Sequence, residues 1–390
     1  MSTVSYSAWI ANTMKEMNLR FFMSRPAFRH VSYLLEGWTQ AHRNGSITAL
    51  KEAAHHPAHL SSVTRFFQTS RFDDEALERK LQRDLLVRIR KQASKDQPIL
   101  ILIDDTVIPK SKPSSQAAQP MEDGGYHFDH KKQGMVYAHQ WLTLMIGTKE
   151  KLYPYHIERY SKHNEKSKMT IAQEQLEAIH LGDRPVYVLV DSWYSSHALI
   201  QTVRKKNWHF IGAIKSNRVL NTKPVSLPAR NWAQRAQSNQ TPDYVTVRTQ
   251  TYETFRFDGT LKGGITGTTI ASRAPNSGSF RFFFSTDPSL SSEDLLGWYR
   301  HRWEIETFFQ EAKDKLTMGG YRLRKASAIR RFLLIMQLAW LMLQQTFVGR
   351  IHQAFAKSHR EHRRQHIYYV YQQAREGRAL ETIYRSFQLT

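Results

Sequence analysis

The chain has 390 residues, 41% hydrophobic and 12% aromatic, which is enough to bury the cores of two or three domains and excludes an intrinsically disordered protein. It carries 56 Lys and Arg against 34 Asp and Glu, a formal charge of +22, and so points to a polyanionic partner, either nucleic acid or an anionic membrane surface. The absence of Cys excludes disulfides and cysteine metal sites and fits a reducing cytoplasm.

No apolar run reaches spanning length, and the longest, Phe332 to Leu343, reads as a buried helix. The N-terminus has no long apolar stretch of the secretory kind. No membrane is therefore expected, and nucleic acid in the cytoplasm is the simplest partner. Residues 1–96 read as mostly helical. Within them Ser46 caps a helix that follows Asn44-Gly45, and a turn around Pro57 leads to a second helix from Ser61. That outline is a possible helix-turn-helix, which would make 1–96 a DNA-binding domain.

From Pro98 the pattern changes. Ile99 to Ile103 is a continuous aliphatic run, as in a strand buried on both faces, and it stops at Asp104-Asp105-Thr106. The Pro-, Ser- and Gly-rich stretch to about Gly134 reads as a loop. Met135–Ile146 and Leu152–Ile157 form a predicted antiparallel hairpin, and Lys166–His180 a helix. Pro185–Val190 is a second buried strand ending at an acid, Asp191, followed by a helix over Ser195–Asn207 and a strand over Trp208–Ile214. Residues 218–287 read as a β-rich insertion, with strands at Tyr244–Thr251 and Phe280–Phe284. The segment Tyr299 to Lys313 has no helix breaker and places Tyr299, Arg302, Glu306 and Lys313 at offsets of three, four and seven, one stripe of a single helix. Beyond Gly320 the chain is helical and basic, with thirteen Lys and Arg against three Glu.

Two buried strands that each deliver an Asp, and a later helix with a Glu on a basic face, follow the plan of an RNase H-like sheet. Clustered hard oxygen ligands repel one another unless divalent cations lie between them, and two such ions can assist in-line displacement at phosphorus. Taken singly, an Asp at a strand end is as readily a turn or cap residue. The ordered set of three acids is what points to chemistry.

Asp105-Thr106, Asp191-Ser192-Trp193-Tyr194 and Tyr299-x2-Arg302-x3-Glu306-x6-Lys313 resemble the DDE transposases of bacterial insertion sequences, and within them the insertion-sequence-four family, defined by its Tyr-Arg-Glu-Lys signature. The similarity continues through Phe210–Arg218 and Phe284–Asp287 and covers roughly residues 98–345. It implies an α/β fold, namely an RNase H-like core in two parts (97–217 and 288–345) that encloses the β-rich insertion, flanked by helical N- and C-terminal regions, the latter at 346–390. It also implies Mg²⁺-dependent cut-and-paste transposition with two ions, for which Mn²⁺ would substitute. Asp105, Asp191 and Glu306 would be the metal-holding, catalytic acids, Asp105 being preferred to its neighbour Asp104 because the family keeps an acid directly before the Thr. Glu304 lies off the stripe. Tyr299, Arg302 and Lys313 would contact phosphates, and Lys215, Asn217 and Arg218, just after a strand of the same sheet, would contact the DNA backbone. In relatives an aromatic side chain holds a flipped base, for which Trp232 is a candidate by region. The expected partners are double-stranded DNA, as terminal inverted repeats and target, and a second copy in a synaptic homodimer. A structure-specific nuclease and a catalytically silent DNA-binding protein are the alternative functions.

Overall fold

The computed structural model describes residues 8–40, 46–54, 58–112, 121–129, 132–162, 166–222, 225–275, 277–347 and 350–386. The expected turn at Pro57, the pair His55-His56, Asn44-Gly45 and much of the expected loop before Gly134 lie outside these residues. In chain order the helices and strands begin with α1 (Ala8–Glu16), α2 (Arg25–Gln40), α3 (Ile47–Ala53), α4 (Leu60–Thr69) and α5 (Asp74–Gln92). There follow β1 (Ile99–Pro109), β2 (Gly125–Asp129), β3 (Gly134–Gly147), β4 (Leu152–Tyr160), α6 (Lys168–Ala178), β5 (Val186–Val190), α7 (His197–Lys205) and β6 (His209–Ile214). The insertion supplies β7 (Val219–Asn221), β8 (Ser226–Pro228), α8 (Ala229–Asn239), β9 (Asp243–Val247), β10 (Gln250–Leu261), β11 (Ile265–Arg273) and β12 (Arg281–Ser285). Last come α9 (Ser292–Arg300), α10 (Trp303–Asp314), α11 (Ala326–Thr346), α12 (Ile351–Arg375) and α13 (Leu380–Ser386).

These elements form two compact units. One comprises Met1–Gln82, Val107–His139 and Phe308–Thr390. Its core is α11, in which Phe332 to Leu343 are all buried, as the sequence suggests. Phe332 meets Trp38 at 5.1 Å and Phe67 at 5.9 Å between ring centroids. The Trp38 indole donates to the Leu316 carbonyl, so apolar packing leaves no stranded N–H there. Ser46 caps α3 as expected, accepting from Ala49 N. The next helix, α4, is capped by His59 instead of Ser61, buries Val63, Phe66 and Phe67, and leaves Ser61, Arg65, Gln68 and Thr69 exposed or half-buried. His139 is fully buried and bonded to the Tyr321 hydroxyl at 2.7 Å, a structural role. His362 pairs with the buried Glu36 at 2.8 Å and lies against His366.

The other unit comprises Arg83–Thr106 and Gln140–Thr307 and carries a mixed sheet of order β4-β3-β1-β5-β6-β12-β11-β10. β1, β5 and β6 are parallel, whereas β12 runs antiparallel to β6. Parallel strands covered on both faces must be apolar throughout, and Val186–Val190 are all buried. This is an RNase H-like fold with helical flanks. The β-rich insertion extends the same sheet through β12 and β11. The expected single strand at Tyr244–Thr251 is a hairpin, turning at Arg248 with φ 58° between β9 and β10.

Candidate active site

β1 continues past the aliphatic run to Pro109, so Asp104 and Asp105 lie within a strand. Successive side chains of a strand face opposite ways, which separates the two acids by direction although they are adjacent in sequence. The register that pairs Ile103 with Val190 brings Asp104 alongside Asp191, at the carboxyl end of β5. Burial, then the charge of Asp191, pushes the Asp104 carboxyl up to about 7 from an ordinary 3.8. Asp105 is enclosed by donors. Its carboxylate accepts from Lys168 Nζ and from the Tyr194 hydroxyl, each at 2.8 Å, and from Gln140. Burial, then the charge of Asp105, raises the Tyr194 phenol far above its ordinary range and keeps it a donor.

Asp191 is fixed by the turn it begins, its Oδ1 accepting from the backbone of Trp193 at 2.9 Å and Tyr194 at 3.1 Å. Below that turn, Ser195 Oγ donates to the Asp191 and Ala213 carbonyls. The space for it exists because Gly212 has no side chain, since a Cβ there would stand 2.7 Å from Ser195 Oγ.

The expected single signature helix is two. α9 ends at Arg300 and α10 begins at Trp303. Between them His301, Arg302, Glu304 and Ile305 each donate three residues back, to Trp298, Tyr299, His301 and Arg302, so the chain tightens to a 3₁₀ pitch. Residues three apart eclipse at that pitch, and Arg302 still lies over Tyr299, 5.9 Å from its ring centroid. Arg302 then joins two acids: Nη1 donates to Asp104 Oδ2 at 3.3 Å and Nη2 to Glu306 Oε1. Its Nε is buried with no partner among the described residues. Glu304 is exposed. Lys313 lies on the part of α10 that belongs to the other unit, where its ammonium donates to the Val107 carbonyl.

Asp104, Asp191, Arg302, Glu306 and Tyr299 are thus associated through neighbouring strands and one helical junction. The donor set is all carboxylate oxygen, with two of the acids side by side and the carboxyl of one raised by burial and by the other's charge, a repulsion that a hard divalent cation would relieve. Among the described residues no three acids converge on one point, because Glu306 is drawn to Arg302. Lys215 and Asn217 are exposed and Arg218 half-buried, just past the carboxyl end of β6, where open α/β sheets receive ligands. Trp232 is packed, its indole donating to the Leu220 carbonyl and its ring lying near Phe257. The exposed Trp193, beside Asp191, stands in the motif Asp191-Ser192-Trp193-Tyr194 that carries the resemblance but has no role assigned to it there.

No curated protein sequence matches this chain. Residues 95–342 match the family model described as the transposase DDE domain.

Proposed function

This chain belongs to the family of transposases with a DDE domain, and from that premise we propose that it excises and reinserts a mobile DNA segment by metal-dependent cut-and-paste chemistry. The observation that carries this reading is the pair Asp104 and Asp191 on adjacent parallel strands, with Glu306 tied to Asp104 through Arg302. We take Asp104, Asp191 and Glu306 as the acids that would hold divalent ions, Mg²⁺ or Mn²⁺. Asp105 instead anchors Lys168, Tyr194 and Gln140. When bound, the ions supply the positive charge that activates the attacking oxygen and stabilises the leaving one. Water attacks the phosphodiester first, and the freed 3′-hydroxyl then attacks target DNA, so no covalent protein intermediate is required. Arg302 and Tyr299 would orient the phosphate, the guanidinium fork suiting bidentate recognition. Sequence-specific binding of terminal inverted repeats falls to the helical N-terminal region, and pairing of two ends requires a homodimer.

The test is a cleavage and strand-transfer assay on DNA carrying the element's own ends, with Mg²⁺ or Mn²⁺. Glu306→Gln is expected to lower both steps about a thousandfold or more while end binding persists. Cutting without joining by the unaltered protein would establish a nuclease instead. Metal-indifferent binding with no cleavage would establish a silent DNA-binding protein.

The cations after β6 give a second expectation. Replacing Lys215 and Arg218 together by Ala should weaken binding to any duplex and reduce the slope of log affinity against log salt by about 2, one phosphate contact each. Fluorescence anisotropy over a salt series measures it, and an unchanged slope would remove both residues from the DNA interface.

A further inference from the structure

Residues 192–242 include eight Lys and Arg and no Asp or Glu. Within that stretch α8 divides by face. Ala229, Ala233 and Ala236 are buried, and Trp232 packs beside them with its indole on the Leu220 carbonyl, so the helix lies against β8 and β10. The opposite face carries Arg230, Gln234, Arg235, Gln237 and Ser238, all exposed, and the half-buried Asn231. A surface helix ordinarily mixes charges and ties them in i,i+4 pairs, as Glu75 and Arg79 do on α5. α8 has no acid, and neither Arg230 nor Arg235 has a carboxylate partner among the described residues. A cationic face without aliphatic side chains suits a polyanion and offers little to an apolar partner.

Side-chain type narrows the partner further. Arg grips guanine O6 and N7 with both arms of its fork, and Gln or Asn grips adenine N6 and N7 in the same way, all in the major groove. A helix about 10–12 Å across fits that groove, which is about 12 Å wide, and the 11 residues of α8 span about 16 Å of it. At 3.6 residues per turn, Arg230, Gln234 and Gln237 fall within about 60° of arc, a single row along the helix. The helix is also tied to the cationic turn after β6. Ala229 N donates to the Arg218 carbonyl at 2.8 Å, and Arg230 N to the Ser216 carbonyl at 2.9 Å. Phosphate contacts set register and base contacts specify sequence, and here two backbone hydrogen bonds join candidates for both.

We infer that α8 is a base-reading helix that enters the major groove of duplex DNA. Arg230, Gln234 and Gln237 meet base edges, Lys215 and Arg218 hold phosphates at its amino end, and Arg235 reaches the far wall of the groove. The inference rests on the reading of this chain as an enzyme that acts on DNA ends. It adds to that reading a second place where sequence is recognised, inside the β-rich insertion and apart from the helical N-terminal region.

The test is fluorescence anisotropy of the full-length protein in EDTA, where no strand is cut. The probes are the element's end, a set of the same duplex with one base pair changed at a time, and an unrelated duplex. Gln234→Ala is expected to erase the preference at one or two neighbouring A·T pairs, where the unaltered protein loses about five- to a hundredfold on substitution. Its affinity for the unrelated duplex should stay within about twofold. Arg230→Ala should erase the preference at a G·C pair and restore methylation of that guanine N7 by dimethyl sulphate, which the unaltered protein blocks. Arg230→Lys should keep the affinity for the unrelated duplex without the preference, since a point charge cannot form the bidentate fork. Both side chains are exposed and Ala favours a helix, so the variants should melt with the unaltered protein. Base preferences unchanged in both Ala variants, or absent from the unaltered protein, would overturn the inference. So would an equal loss on every duplex, since the face would then touch phosphates alone. A changed oligomeric state with base preferences intact would give the face to a second copy and overturn it too. Binding is read without metal, so cleavage and joining by the unaltered protein succeed or fail independently of these results.

Discussion

Asp104→Asn is expected to abolish cleavage while leaving the metal-free protein as stable as the unaltered one or more so, and Asp105→Asn is expected to do the reverse. The two residues are neighbours and both carboxylates, yet their surroundings differ in sign. Asp104 is buried beside Asp191, and its carboxyl is raised from 3.8 to about 7. A raised carboxyl binds a proton in the folded state at pH values where the unfolded chain has lost it. Stability from this group is therefore full below about pH 4 and falls as pH rises to about 7, by about 1.4 kcal/mol for each pH unit crossed between those two values. Asn removes the charge, keeps an acceptor for the Asp105 N–H, and so removes that cost. Asp105 is the opposite case. Its carboxylate answers Lys168, and both side chains are nearly buried, at 14% exposure for Asp105 and 13% for Lys168. Neutralising one partner strands the other's charge, at a cost of about 3–5 kcal/mol. Thermal melts of the two variants in EDTA at pH 7, set beside cleavage rates in Mn²⁺, decide the matter. A stable, inactive Asp105→Asn paired with an active Asp104→Asn would return the first acid to Asp105.

The two aspartates also show what the sequence could tell and where it stopped. The run Ile99–Ile103 announces a doubly buried strand because five aliphatic residues in succession suit little else. The end of the run marks the end of burial and not of backbone pairing, and β1 goes on to Pro109. The facing of Asp104 and Asp105 depends on that continuation, and no hydropathy pattern reports it. The junction at His301-Arg302 was hidden for a related reason. It contains no Gly or Pro, and the tightening from four-residue to three-residue hydrogen bonds changes no side-chain type. Because Tyr299 and Arg302 are three apart, and Arg302 and Glu306 four apart, the stripe survives the change of pitch. β10 and β11 escaped detection because Thr, Gly and charged residues dilute their alternation. The pairing of β12 with β6 joins Phe284 to Gly212, a contact set by the fold of the whole insertion and by no local pattern.

Arg302→Ala is expected to lose cleavage and, less obviously, to increase how much Mn²⁺ stabilises the protein. In the absence of a bound ion Arg302 is the cation that joins Asp104 to Glu306, with both groups partly withdrawn from water, at 14% exposure for the guanidinium and 17% for Asp104. Removing it leaves Asp104, Asp191 and Glu306 to repel one another without a counter-charge, so the EDTA-treated variant should melt lower at pH 7. The deficit should shrink as pH falls below about 6, where Asp104 is protonated in the fold and its charge no longer needs an answer. A divalent ion contributes stability according to how tightly it binds the native state. In the unaltered protein it must first draw Glu306 away from Arg302; in the variant it meets carboxylates already free of that pair. The rise in melting temperature between EDTA and Mn²⁺ should therefore be larger for Arg302→Ala than for the unaltered protein, although the variant is the inactive one. A smaller rise would mean that Arg302 helps to build the ion site, and that its hold on Asp104 and Glu306 is part of the working arrangement instead of a placeholder for the metal.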